Sequence, residues 1–212
     1  MRILLIFFFL YTLSFSSWGQ LKVLPSLGFQ IGSTISKEYY LYEEYDFKQS
    51  ISGLTYSFFS SYNIFLDFSL GFTLTYSPIS SLYRENKDIT FDDEWLDSSG
   101  SAFSFYPIIM IKTLYNWYLW FGYGVIENLD LENGFRPNEP TVKYSGQSFI
   151  VAGHYTFENQ MVVMIKIVSK TFTKKSENDE EKEFPITSNN DIYKSFSGTS
   201  MIFEFGYEIS FF

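Results

Sequence analysis

No cysteine occurs in the 212 residues, so no disulfide framework staples the chain, and no cysteine near the N-terminus is present to carry a lipid. Positive charge is scarce. Fifteen Lys and Arg face 24 Asp and Glu, and the net charge of -9 argues against nucleic acid, whose phosphates demand a basic surface. Only one long apolar run exists, Ile3 to Leu10, and mean hydropathy is near zero. A bundle of membrane-crossing helices, each needing about 20 apolar residues, is therefore excluded. What the chain has in excess is aromatic side chains, at 22%.

The apolar run follows Arg2 and leads into small and polar residues through Ser17-Trp18-Gly19-Gln20. This is the layout of a secretory signal peptide, with Ser17 and Gly19 as the small residues flanking cleavage after Gly19. The run is too short for a spanning anchor. Residues 1–19 are expected to be removed, and 20–212 to form one domain.

Alternation dominates the remainder. The cleanest stretch sets Ile64, Leu66, Phe68, Leu70, Phe72, Leu74 and Tyr76 against Asp67, Ser69, Gly71, Thr73, Thr75 and Ser77. Side chains on a strand alternate between its faces, so this is an apolar face backed by a polar one. Similar segments fall at about 21–34, 49–60, 102–113, 117–126, 144–157, 161–173 and 196–211, eight in all. Each reaches the roughly 9–11 residues that a tilted transmembrane strand needs. The last carries Met201, Phe203, Phe205, Tyr207, Ile209 and Phe211 on one face and Ile202, Glu204, Gly206, Glu208 and Ser210 on the other.

The connections alternate in length. Tight turns are expected near Ser60–Asn63, Leu114–Asn116 and Glu158–Gln160, and long ones at about 35–48, 78–101, 127–143 and 174–195. Short turns at one end and long loops at the other are the asymmetry of outer-membrane barrels, and an even strand number places both termini in the periplasm. A soluble lipocalin-like barrel would turn its apolar face inward, and here the alternate face of Gly, Ser, Thr, Lys and Glu looks too polar for a soluble core. The expected fold is an all-β, eight-stranded, antiparallel up-and-down transmembrane barrel.

On this pattern the chain resembles the small eight-stranded outer-membrane barrels, such as the membrane domain of OmpA or OmpX. The Gly19-Gln20 junction and the richness in Phe, Tyr, Ser and Asn also look like the barrel-domain proteins common in the Bacteroidota. The resemblance implies a Gram-negative outer membrane and contact with its lipids and lipopolysaccharide. It also implies recognition of the terminal strand by the barrel-assembly machinery, through Tyr207, Ile209, Phe211 and Phe212. Phe212 falls in the opposite phase to Phe211, one residue out of step with the usual signal.

Candidate sites are few. Heights counted from the short-turn end pair Lys166 with Glu208, Lys170 with Glu204, and Asp67 with Lys112 across the lumen, because an unpaired buried charge is costly. Tyr115, Trp117, Tyr118 and Trp120 suit an aromatic girdle at the periplasmic interface. Tyr39, Tyr40, Tyr42 and Tyr45 form a candidate contact surface in the first long loop. Twenty of the 24 acids lie in the long loops. Asp92-Asp93-Glu94 and Asp179-Glu180-Glu181 lack calcium-loop spacing and read as solvated acids rather than a metal site.

The only histidine, His154, faintly resembles the His-x-Ser element of outer-membrane lipid A deacylases, but its expected place near the periplasmic end and facing the lumen is wrong for an outer-leaflet lipid. The leading expectation is a non-enzymatic barrel without cofactor, structural or partner-binding through its loops, with an outer-membrane protein as candidate partner in an envelope complex. A narrow ion or small-solute channel is second, and a lipid-modifying enzyme a distant third.

Overall fold

The computed structural model describes residues 20–40, 43–65, 67–79, 81–86, 99–113, 115–131, 141–177, 180–188 and 191–211. All its regular structure is strand: β1 (Leu21–Tyr40), β2 (Glu43–Phe65), β3 (Phe68–Ile79), β4 (Ser81–Asn86), β5 (Gly100–Lys112) and β6 (Trp117–Leu131) come first. They are followed by β7 (Val142–Thr156), β8 (Met161–Glu177), β9 (Glu180–Glu183), β10 (Ile186–Ser188), β11 (Asp191–Tyr207) and β12 (Ile209–Phe211). The wall runs β11-β1-β2-β3-β5-β6-β7-β8, antiparallel throughout, and β11 pairs back onto β8. That last pairing closes an eight-stranded barrel and leaves the wall no free edge. Two wall strands are continued by short pieces: β4 carries β3's side of β2 onward, and β12 carries β11's side of β1.

Phase follows the sequence through most of the wall. Leu27, Phe29, Ile31, Leu54, Tyr56, Phe58, Phe121, Phe149, Ile165, Ile167, Phe203 and Phe205 all point outward and are exposed. Inside, the alternate positions are more apolar than the polar face expected from sequence. Leu24, Phe59, Tyr106, Ile108, Met110, Trp120, Ile150, Val162, Met164, Val168 and Ile202 make one buried cluster. Ile51, Ile79, Ala102, Leu129, Leu131, Phe172 and Phe196 make a second. Ile108 and Met110, which blur the alternation in the sequence, are interior residues in phase with Tyr106.

Three boundaries depart from expectation. The first short connection falls between Phe65 and Phe68, because β2 continues through Ser60–Asn63 to Phe65. A register shift between Asn63 and Phe65 leaves both Ile64 and Phe65 exposed, and the Ser69 hydroxyl donates to Asn63 Oδ1 at 2.6 Å across the hairpin. The register shift offsets the change of parity that the tight turn makes and leaves even numbers outward on both strands, so the alternating sequence reads as one segment straight through the turn. The connection expected at 35–48 is mostly strand, since β1 and β2 remain paired up to Tyr40 and Glu43. On β6 a bulge at Val125–Ile126 opposes two residues to Gln147 alone. Both bulged side chains face outward, and the interior phase moves from even to odd numbers, carrying Glu127, Leu129 and Leu131 inside.

The strands approach closely where interior glycines face a neighbouring backbone. A Cβ on Gly28 would sit 2.0 Å from the Phe203 carbonyl oxygen and 2.6 Å from Glu204 Cγ. Backbone cannot yield there without opening the β1–β11 ladder. Gly28→Ala should destabilise the barrel by about 1–3 kcal/mol, measured as a lower urea midpoint in lipid vesicles; an unchanged midpoint would contradict this packing.

Candidate functional site

The interior holds three ion pairs among the described residues. Lys166 Nζ lies 2.9 Å from Glu204 Oε1, both side chains 0% exposed. Lys170 Nζ lies 2.6 Å from Glu127 Oε1, and Lys22 Nζ 2.8 Å from Glu208 Oε1 nearer the short-turn mouth. Each carboxylate has further donors. Glu204 accepts from the hydroxyls of Ser26 and Ser57 at 2.6 Å each. Glu127 accepts from Tyr106 Oη and Ser148 Oγ at 2.8 Å each. Lys166 also donates to Ser57 Oγ at 2.9 Å. Charges so buried persist only when pairing and hydrogen bonding compensate their lost hydration; Glu204 accepts hydrogen bonds on both oxygens, whereas Glu127 takes both of its hydroxyl donors on Oε2 and meets Lys170 through Oε1 by the ion contact alone.

Both deep lysines come from β8, in an interior phase shared with Val162, Met164, Val168 and Phe172. Lys166 reaches the β11-β1-β2 side of the wall, and Lys170 the β5-β6-β7 side. One strand therefore clamps both halves of the barrel from within.

Partners differ from those read from the sequence. Lys166 takes Glu204 rather than Glu208, Lys170 takes Glu127 rather than Glu204, and Glu208 takes Lys22. Strand stagger is the cause: the Glu208 N–H donates to the Gln160 carbonyl at 2.9 Å, which puts Glu208 level with the β7–β8 turn and well below Lys166. Asp67 and Lys112 are not a lumenal pair. Both are exposed at the short-turn end, where the Lys112 N–H donates to the Asp67 carbonyl at 2.7 Å. Glu127 falls in the connection expected at 127–143, whereas β6 runs on to Leu131 and the bulge at Val125–Ile126 turns Glu127 inward.

Below the deep charges lies an aromatic stack. Trp120 is fully buried and stacks on Phe59 at 4.5 Å between ring centroids. Its indole N–H donates to His154 Nδ1 at 2.6 Å, and His154 lies flat on Tyr118 at 4.5 Å and 15°. Lys22 Nζ sits 5.0 Å above the Tyr118 ring, within cation–π range. The expected girdle is thereby split. Tyr115 and Trp117 face outward and are exposed, whereas Tyr118 and Trp120 are interior plug residues, as consecutive strand positions require. An indole N–H occupies the His154 nitrogen that an orienting carboxylate would bind in a catalytic triad, and Nε2 has no hydrogen-bond partner among the described residues.

The remaining candidates fall at the ends. Tyr207, Ile209 and Phe211 face outward, with inward Glu208 interrupting the strand between β11 and β12; Phe212 lies outside the described residues. Tyr39, Tyr40 and Tyr45 have described backbone in β1 and β2, their side chains lie outside the described set, and Tyr42 lies wholly outside it. Asp92-Asp93-Glu94 and Asp179 are likewise outside. Glu180 and Glu181 lie on β9 with Lys182 and Lys174 beside them, and no cluster fit to hold a metal occurs among the described residues.

The outer membrane protein OprG from Pseudomonas aeruginosa superposes with a TM-score of 0.59 at 12% identity, covering 89% of this chain and 95% of that one. The chain has the fold of a small outer-membrane β-barrel. More distant matches are Ail of Yersinia pestis (TM-score 0.46, 9% identity, 89% and 98% of the two chains) and Neisserial surface protein A (0.45, 10%, 85% and 96%). No family model and no curated protein matches the sequence. The likeness to these structures is one of fold.

The barrel's interior charges should respond asymmetrically to substitution. Lys170→Met leaves Glu127 buried without its cation and should cost about 3–5 kcal/mol. Lys170→Met/Glu127→Gln removes both charges and should recover most of that loss, as read by urea unfolding from vesicles. Additive losses in the double variant would contradict a coupled pair.

Proposed function

We propose that the protein is a non-enzymatic, integral outer-membrane barrel of a Gram-negative bacterium, structural or partner-binding through its long-hairpin end. The observation that carries this reading is the packed lumen. Three ion pairs and the Trp120–His154–Tyr118 stack fill it, so the outer wall and the hairpin ends are the surfaces left for contact. The exposed band of Leu, Ile, Phe and Tyr on every wall strand supports a lipid surround, including lipopolysaccharide. In this reading both mature termini are periplasmic and residues 1–19 are a cleaved signal. The outward Tyr207, Ile209 and Phe211 meet the barrel-assembly machinery during biogenesis. The chain is then a small barrel of the OmpA-membrane-domain or OmpX type, from the Bacteroidota.

The hairpin end is acidic and rich in tyrosine. Tyr39, Tyr40, Tyr42 and Tyr45 lie among Glu38, Glu43, Glu44 and Asp46, a mixture of aromatic anchors and charge suited to a protein partner, such as another subunit of an envelope complex. Affinity purification from native outer membranes should recover a stoichiometric protein partner. Changing the four tyrosines to serine should lose that partner while the barrel remains folded and at wild-type abundance. Recovery of the barrel alone, or a partner retained by the tyrosine variant, would overturn this assignment.

A further inference from the structure

The spacing of charges along β8 and β11 is the same. Lys166 and Lys170 are four residues apart on β8, and Glu204 and Glu208 are four apart across the end of β11. In the closed barrel Lys166 lies opposite Ile202, and its carboxylate partner is two positions further along, at Glu204. Sliding β11 by four residues against β8 would set Lys166 opposite Gly206 and Lys170 opposite Ile202. The same diagonal geometry would then join Lys166 to Glu208 and Lys170 to Glu204. An even slip keeps every outward aromatic outward, so alternation does not oppose it. The β8–β11 connection is one of the barrel's long ones, and the shift would give up the β8–β9 ladder, because Lys174–Glu177 of β8 pair with Glu180–Glu183 of β9.

We propose that Glu127 and Lys22 select the β8–β11 register by making this slipped register electrostatically incomplete. In the observed register three interior lysines meet three interior glutamates, with none left over among the described residues. After the slip Glu127 would keep its Tyr106 and Ser148 donors but lose its only cation, deep in the barrel, and Lys22 would lose Glu208 or share it with Lys166. The first and last wall strands meet at the β1–β11 seam, so a slip in the preceding β8–β11 pairing would be carried into the stagger of the whole wall when that seam forms. The bulge at Val125–Ile126 has a purpose in this scheme, because it turns inward the acid that distinguishes the two registers.

Disulfide trapping reads the register directly, since the chain has no cysteine of its own. Ile167 pairs with Met201 in the observed register and would pair with Phe205 in the slipped one; all three are exposed on the outer wall. The wrong partner is displaced by about 13 Å along the strand, beyond disulfide reach. In the parent background the cysteine pair 167/201 should cross-link and 167/205 should not. Glu127→Gln/Lys22→Met leaves Lys170 and Glu208 unpaired in the observed register and pairs every charge in the slipped one. In that variant the 167/205 cross-link should rise at least about tenfold, and Glu127→Gln alone should shift it in the same direction. Glu127→Gln/Lys170→Met removes the incentive and should return cross-linking to 167/201. Unchanged 167/201 cross-linking in a folded Glu127→Gln/Lys22→Met barrel would overturn the proposal. Failure of that variant and of Glu127→Gln to assemble while Glu127→Gln/Lys170→Met assembles would equally overturn it, because no usable second register would then exist.

Discussion

Burying charge inside a narrow barrel is permissible only when every charge has its counter-charge and its remaining hydrogen bonds, and this requirement organises the interior. An eight-stranded barrel is just wide enough for side chains to fill, so a lysine pointing inward meets the opposite wall rather than a water column. Lys166 and Lys170 therefore need acids at fixed heights. Glu204 and Glu127 supply them, each held by two hydroxyls from neighbouring strands. A buried pair of this kind stabilises little compared with an apolar filling, yet it tolerates no misplaced partner. Its contribution is to uniqueness of arrangement, while the apolar side chains packed around it supply the bulk of the interior contact.

The outer wall obeys a simpler rule. Across the middle of the wall the outward positions are aliphatic or aromatic, with polar residues such as Gln147, Ser169 and Thr171 outward toward the long-connection end, and closure of β11 on β1 satisfies the last ladder of backbone groups. In a hydrocarbon surround an unpaired strand edge is untenable, so closure and an apolar exterior belong together. The two ends then differ in length of connection, and the chemistry differs with it: short turns below, and long connections carrying most of the acids above.

Alternation is legible in a sequence because it repeats every two residues, and it was enough to read eight strands, their outward faces and the interior phase of Lys166, Lys170, Glu204 and Glu208. Two physical features escaped it. The bulge at Val125–Ile126 reverses phase and turns Glu127 inward, and the register shift between Asn63 and Phe65 offsets the phase change of the tight turn, so that alternation runs straight through it and points the turn residue Asp67 to the lumen. Strand stagger is a property of the closed cylinder and leaves no mark on any one strand; hence the lysines were matched to the wrong glutamates. Trp120 and Tyr118 looked like interfacial aromatics because they neighbour Trp117, although adjacent strand positions must face opposite ways. Phe59 and Tyr106 carried no signal of their own as plug residues beyond their phase.

The central claim is that this interior is sealed. Single-channel recording of the purified full-length protein in planar bilayers tests it most directly. A lumen filled by the three ion pairs and the Trp120–His154–Tyr118 stack predicts a trace indistinguishable from bare bilayer across a range of voltages and salt concentrations. Steady, reproducible conductance steps from the folded, unsubstituted barrel would contradict it.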